Sequence, residues 1–132
     1  MTKTLFITLP ITDLAASTAF YAALGFERNP ALSGDGGACM VWSEAIQVML
    51  VTHARWRTFT QRPLPAAGTA GHMLTLALDS REAVDAINAA AAAHGGRADA
   101  NPPEDHGFMY SRDLADPDGH LWGTVWMDPG AE

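Results

Sequence analysis

The stretch TLFITLPITDLAASTAFYAALGF, residues 4–26, carries the reading from which the fold follows. Its first seven residues, TLFITLP, are rich in strand formers, and Pro10 fits only the edge or the end of a strand. Asp13 or Thr12 then offers a side-chain oxygen to the free N–H groups that begin a helix. Leu14, Ser17, Thr18, Phe20, Tyr21 and Leu24 recur at three- and four-residue steps, which lays one apolar stripe along that helix. Gly25 stands where a helix stops in a left-handed turn.

Outward from this stretch, three short strands are expected at 26–29, 38–42 and 46–52, separated by the glycine-rich 33–37 and by a turn at Ser43 and Glu44. The order is βαβββ. Residues 53–71 carry three Arg, two Pro and two Gly and read as a linker or flap, with a short helix around 55–60. The second half repeats the first. A strand is expected over 72–78, opened by His72. Asp79 and Glu82 have capping-box spacing, with Asp79 as the cap. Residues 83–93 favour a helix, with Val84, Ile87 and Ala91 as its apolar stripe and Gly95 and Gly96 as its stop. Strands follow near 97–99, 108–114 and 120–127, the last two joined by the turn Asp116-Pro117-Asp118-Gly119. Asp13 and Asp79 lie about half the chain apart, as do Gly25 and Gly95, which points to a duplicated unit. The expected architecture is α+β: one domain over 1–132 made of two tandem βαβββ modules, about 1–60 and about 70–128.

Composition narrows the function classes. A chain of 132 residues with 48% hydrophobic residues buries one core without staples. Its formal charge of −7 argues against nucleic acid and against anionic membrane as partners. Arg55, Arg57 and Arg62 are the one local basic cluster and read as solvated. No apolar run approaches the ~20 residues of a membrane span. The first ten residues read as a strand and not as a leader, so the cytoplasm is the expected compartment. A single cysteine, Cys39, excludes an intrachain disulfide and a cysteine-cluster metal site. The glycines at 34, 36 and 37 lack the lysine and spacing of a phosphate loop.

The βαβββ duplication, with Leu9-Pro-Ile-Thr-Asp13-Leu14 running into Phe20-Tyr21 and Leu24-Gly25-Phe26, and with Asp116-Pro-Asp-Gly119 near the end, resembles the vicinal oxygen chelate superfamily. This superfamily includes glyoxalase I, extradiol dioxygenases and bleomycin resistance proteins. The resemblance implies two curved sheets around a cavity. In metal-dependent members a divalent ion held there acts as a Lewis acid. It also implies a homodimer whose cavities span both subunits.

Counting from the matching motifs places the superfamily's four ligand positions at Phe6, near Met49, at His72 and at Gly123. One of the four, His72, retains a donor. Phe and Met are poor ligands for such an ion, and Gly offers none. Substitute ligands are sought at Thr8, which shares strand parity with Phe6, and at Gln47, His53 and His106. A rearranged site would use His53, His72 and His106. Without a metal, His72 can serve as a general base or as a donor that orients a ligand. His106, Phe108 and Tyr110 are expected at the cavity mouth. Trp56, in the flap, and Trp42 are the aromatics expected to meet a ligand. Trp122, Thr124 and Trp126 share one face of the last strand and are expected to pack on helices, so Gly123 faces the cavity and deepens it. His94 and His120 read as structural, and Cys39 as buried.

Two functions follow as expectations. The first is a small-molecule binding protein with no cofactor, similar to the bleomycin resistance branch, its cavity apolar with few polar anchors. The second is a divalent-metal-dependent lyase, isomerase or dioxygenase with an unusual ligand set. A cofactor-free enzyme using His72 as a base stands beside them.

Overall fold

The local signals around Asp13 and Gly25 have their physical counterparts in the computed structural model, which describes residues 3–130. Strand β1 (Leu5–Ile11) leads into helix α1 (Leu14–Ala23). The Asp13 carboxylate accepts a hydrogen bond from the Ala16 N–H at 3.0 Å and so caps that helix. Gly25 ends it at φ +108°, a conformation that side chains disfavour. Strands β2 (Glu27–Gly34), β3 (Gly37–Val41) and β4 (Ile46–Thr52) and helix α2 (His53–Phe59) follow. The chain divides into two compact units, Met1–Leu64 and Pro65–Glu132.

In the first unit the sheet order is β1-β4-β3-β2, with β1 parallel to β4 and the other pairs antiparallel. Leu9, Leu50 and Ala38 stand in one register row, and Val48 and Met40 pair in the next; all five are buried. They face α1, which buries Ser17, Phe20 and Tyr21. Each Leu, Val, Met and Phe among them contributes roughly 1.5–3 kcal/mol on leaving water. Phe20, Tyr21 and Phe26 meet edge to face, with ring centroids 5.1 and 5.3 Å apart. Trp42 packs on Phe26 at 5.0 Å. Trp42, expected to meet a ligand, thus belongs to the aromatic cluster at the end of α1. Because strand side chains alternate, Phe6, Thr8, Cys39, Gln47 and Met49 fall on the other face.

The second unit repeats the plan with β5 (Leu74–Ala77), α3 (Arg81–Ala93), β6 (Arg97–Ala98), β7 (Glu104–Asp105), β8 (Met109–Ala115) and β9 (Leu121–Met127). Its order is β5-β9-β8-β6, with β7 also pairing β8 and β5 parallel to β9. Both units therefore place their first strand parallel to their last. This is the α+β duplication expected from the sequence.

Several boundaries differ from expectation. Strand β5 starts at Leu74, so His72 precedes it and does not open it. The reason lies in the partner strand. In parallel register His72 would face His120, but both backbone groups of His120 serve the preceding turn. Its N–H donates to Asp116 Oδ1 at 2.8 Å, and its carbonyl accepts from the Asp116 N–H at 3.0 Å. The cap of α3 is Ser80, whose Oγ accepts from the Ala83 N–H at 3.1 Å, and not Asp79. Helix α2 begins at His53, where the Thr52 side chain caps it. The two-residue strand β7 was not expected; a short strand of charged residues carries no hydrophobic alternation to announce it.

Helix α3 buries Val84, Ile87, Asn88 and Ala91 against the face of the sheet that carries Leu76, Leu114, Trp122 and Thr124. Asn88 Nδ2 donates to Thr124 Oγ1 at 3.0 Å, and that hydroxyl donates to the Arg112 carbonyl at 2.7 Å. At the margin of this face Arg112 makes a forked pair with Asp99, at 2.9 and 3.0 Å, and reaches Asp85 at 3.0 Å. Arg81 forks onto Asp105, with two contacts of 2.9 Å, and lies over the Tyr110 and Trp126 rings at 5.1 and 5.0 Å. The hydrogen bond from Tyr110 and the pairing with Arg112 hold the Asp85 carboxyl below its ordinary range, and Arg112 does the same for Asp99.

A carboxyl whose pKa is depressed by folding stabilises the fold above its unfolded value near 4, and that contribution disappears as pH falls further. Arg112→Met is expected to lower stability by about 1–2 kcal/mol at pH 7, since both carboxylates are partly solvated. It should also flatten the loss of stability below pH ~4. Urea denaturation from pH 3 to 7 checks both; an unchanged acid limb would show that these pairs contribute nothing.

Candidate functional site

Period-two alternation decides which side chains of the second unit leave the helix and face the open side of its sheet. In β9 these are Leu121, Gly123, Val125 and Met127; in β8 they are Met109, Ser111, Asp113 and Ala115. Thr75 of β5, Gly123 of β9 and Asp113 of β8 stand in one register row. Glu104 of β7 lies opposite Ser111. The segment after β6 folds over the same face. There Asn101 Nδ2 donates to Asp113 Oδ2 at 3.0 Å, and Pro102 and Pro103 form a wall. Together these groups enclose a hollow of about 760 Å³, with Met73, Met109 and Met127 among its apolar lining.

Gly123 is the floor of this hollow. A Cβ built there would stand 2.7 Å from Thr75 Oγ1 and 3.3 Å from Asp113 Oδ1. The position is thus open to the two neighbouring side chains and not to one of its own. Gly123 deepens the hollow less than expected, because Thr75 leans across it.

The other candidate residues are distributed as follows. Phe6 is 50% exposed and pairs in register with Gln47, whose Oε1 accepts a weak hydrogen bond from Cys39 Sγ at 3.4 Å. Burial pushes the Cys39 thiol pKa up, which keeps it protonated. Thr8 pairs with Met49 on the same open face of the first unit. Met49 also lines a hollow of about 230 Å³ with Leu32, Val51, Arg55 and Phe59. His53 is the first residue of α2 and is half-buried. Trp56, in the same helix, is half-buried, and its buried Nε1 makes no hydrogen bond among the described residues. His72 is exposed and does not line the second unit's hollow, although its neighbour Met73 does. His106 is exposed, 3.6 Å from Glu104 Oε2 and beside Phe108. Tyr110 lies on the helix face: its hydroxyl donates to Asp85 Oδ1 at 2.6 Å. It was expected at the cavity mouth, but the parity of β8 turns it to α3 and gives the open face to Met109 and Ser111.

The superfamily's metal does not fit these residues. Phe6 and Met49 supply no hard donor, and a side chain at position 123 would meet Thr75. Among the described residues, no three His, Cys, Asp or Glu side chains gather where they could hold a metal ion. Sequence reasoning passed over Asp113, Asn101, Thr75 and Ser111, the polar groups of the hollow. The antiparallel register across the Asp116–Gly119 turn, counted back from Gly123, would have marked Asp113.

The model of the Glyoxalase/Bleomycin resistance protein/Dioxygenase superfamily matches residues 4–124. A glyoxalase/bleomycin resistance protein from Albidiferax ferrireducens is similar at 26% identity and TM-score 0.68, over 92% of this chain and 95% of that one. A hypothetical protein from S. aureus shares the fold at TM-score 0.79 and 23% identity, over 96% and 94% of the two chains. A glyoxalase/bleomycin resistance protein/dioxygenase family enzyme from Burkholderia phytofirmans does so at TM-score 0.75 and 18% identity, over 92% and 96%. Curated proteins gave no significant match. Among the described residues no helix is long and apolar enough to cross a membrane.

The crowding at Gly123 is open to a double-mutant cycle. Gly123→Ala should be less favourable by about 1 kcal/mol in the native chain than in a Thr75→Ala background, where the clashing atoms are gone. Urea midpoints of the four proteins measure the difference; strict additivity would remove the argument that Thr75 fills the place of a side chain at 123.

Proposed function

The chain belongs to the glyoxalase/bleomycin resistance protein/dioxygenase superfamily, and from that premise we propose that it binds a small organic molecule in the hollow of its second unit without the superfamily's metal. One observation carries the reading. Position 123, where metal-dependent members are expected to present a carboxylate, is a glycine over which Thr75 and Asp113 converge. The remaining lining is mostly apolar, with Met73, Val125 and Met127 giving area and the polar side chains giving orientation. A ligand that buries about 200 Å² of apolar surface gains about 5 kcal/mol at 25 cal/mol/Å², before association costs reduce it. From this area alone, dissociation constants of about millimolar follow.

The reading includes a homodimer. Leu5 and Phe6 on the edge strand β1 are 54% and 50% exposed, and Leu32 and Phe59 of the same unit are 50% and 55% exposed. A second copy would cover part of this surface. Light scattering is expected to give twice the chain mass of 14.0 kDa.

The test of the binding reading combines a ligand screen with metal analysis. Thermal-shift screening of small organic molecules should yield binders, and Ser111→Trp, which fills the hollow, should abolish their shifts while the protein stays folded. Protein purified without a histidine tag should carry less than about a tenth of an equivalent of Fe, Mn, Co, Ni or Zn, because so few donors are placed to hold one. Stoichiometric metal, or activity restored by adding it, would favour the metal-dependent lyase, isomerase or dioxygenase instead.

A further inference from the structure

The hollow of the second unit has a charge of one sign. Its titratable lining residues are Glu104 and Asp113, and neither Lys nor Arg lines it. Glu104 faces His106 at 3.6 Å. Asp113 has no cation within ion-pair distance among the described residues. Its Oδ2 accepts from Asn101 at 3.0 Å, while Oδ1 is without a hydrogen-bond partner among the described residues. That oxygen and Thr75 Oγ1 converge over Gly123, so closely that a Cβ there would stand 3.3 and 2.7 Å from them, and a ligand meets them from the open side of the hollow. The floor of the hollow is therefore a small acceptor socket with a formal negative charge and no protein donor assigned to it.

We propose that the hollow takes a protonated organic amine. Its ammonium sits on the open side of the two oxygens that cover Gly123, donating to Asp113 Oδ1 and Thr75 Oγ1, and its apolar body lies against Met73, Val125 and Met127. The proposal rests on the binding reading above and names the ligand class for that same site. An ammonium is favoured over a neutral donor because its opposite charge adds Coulomb attraction to the charge-assisted hydrogen bond that either donor makes with a carboxylate. A carboxylate or phosphate ligand would meet Asp113 and Glu104 with like charge. The formal charge of −7 on the chain adds attraction for cations at a distance.

Three probes of one shape and different charge test this: phenethylamine, phenethyl alcohol and hydrocinnamate. They are titrated calorimetrically at pH 7 into the full chain and into Asp113→Asn, which keeps the shape of the side chain and removes its charge. Amide shifts of Thr75, Gly123 and Val125 report the location. The amine is expected to bind about tenfold or more tightly than the alcohol, and the acid not measurably, a gap of about 1.4 kcal/mol or more between amine and alcohol. Asp113→Asn should bring the amine's affinity down to about that of the alcohol. If that variant does not fold, Thr75→Val should weaken the amine several-fold and by more than it weakens the alcohol. Equal binding of amine and alcohol, or an amine affinity that survives these substitutions, overturns the amine assignment while binding itself stands. Shifts at residues away from the hollow, or no binding by any probe, overturn the binding reading and the amine assignment together.

Discussion

A β-strand has two faces, and in each unit of this chain a helix takes one of them. Burial on the helix side is strict: Leu9, Val48, Leu50 and Met40 under α1, Leu76, Leu114 and Trp122 under α3. Since the side-chain period in a strand is two, a slip of one residue would expose all of them together. Register is thereby fixed, and once it is fixed the open face is determined as well. Thr8, Gln47, Met49 and Cys39 reach the open face of the first unit because their neighbours are needed by α1. Thr75, Ser111, Asp113 and Gly123 reach that of the second because α3 holds Leu76, Leu114 and Thr124. The candidate site is a consequence of the core.

This dependence explains what was legible in the sequence. Caps, helix stops and the tight turn are local, and their residues announce them: Asp13 with Ala16, Gly25 at a positive φ, Asp116 with the N–H groups of 118 and 120. The helix stripes and the face of Trp122 could be counted. The start of β5 could not, because it is set by whether His120 is free to pair, and His120 is held by a turn far away in sequence. The Ser80 cap was missed for a narrower reason: Asp79 and Ser80 are both good caps, and only the helix register selects between them. Tyr110 lies away from the expected cavity mouth because the parity of β8 turns it to α3. Asp113 and Asn101 were overlooked because their meeting depends on the path of the chain between β6 and β7, which no local pattern encodes.

The two units share one topology and differ in chemistry. The open face of the first presents Phe6 and Met49, groups suited to apolar contact, with Cys39 buried and bonded to Gln47. That of the second carries two carboxylates, Glu104 and Asp113, and hydroxyls at Thr75 and Ser111, with methionines around them. Duplication supplies the scaffold twice, but nothing in the core requires the two open faces to match, so each is free to diverge.

Position 123 shows how such divergence is constrained. A divalent ion needs several donors at once. Without such a set, a carboxylate at 123 would face Asp113 across the register row, and neither Lys nor Arg lines the hollow to neutralise either. Placing two like charges side by side in one register row is costly. Glycine removes one of the charges and makes room for the Thr75 hydroxyl, which accepts or donates as a ligand demands. The remaining carboxylate, Asp113, is steadied by Asn101 on one oxygen and left available on the other. A site that could hold a metal only with a full set of donors becomes, with a partial set, a site for a ligand that brings its own positive charge.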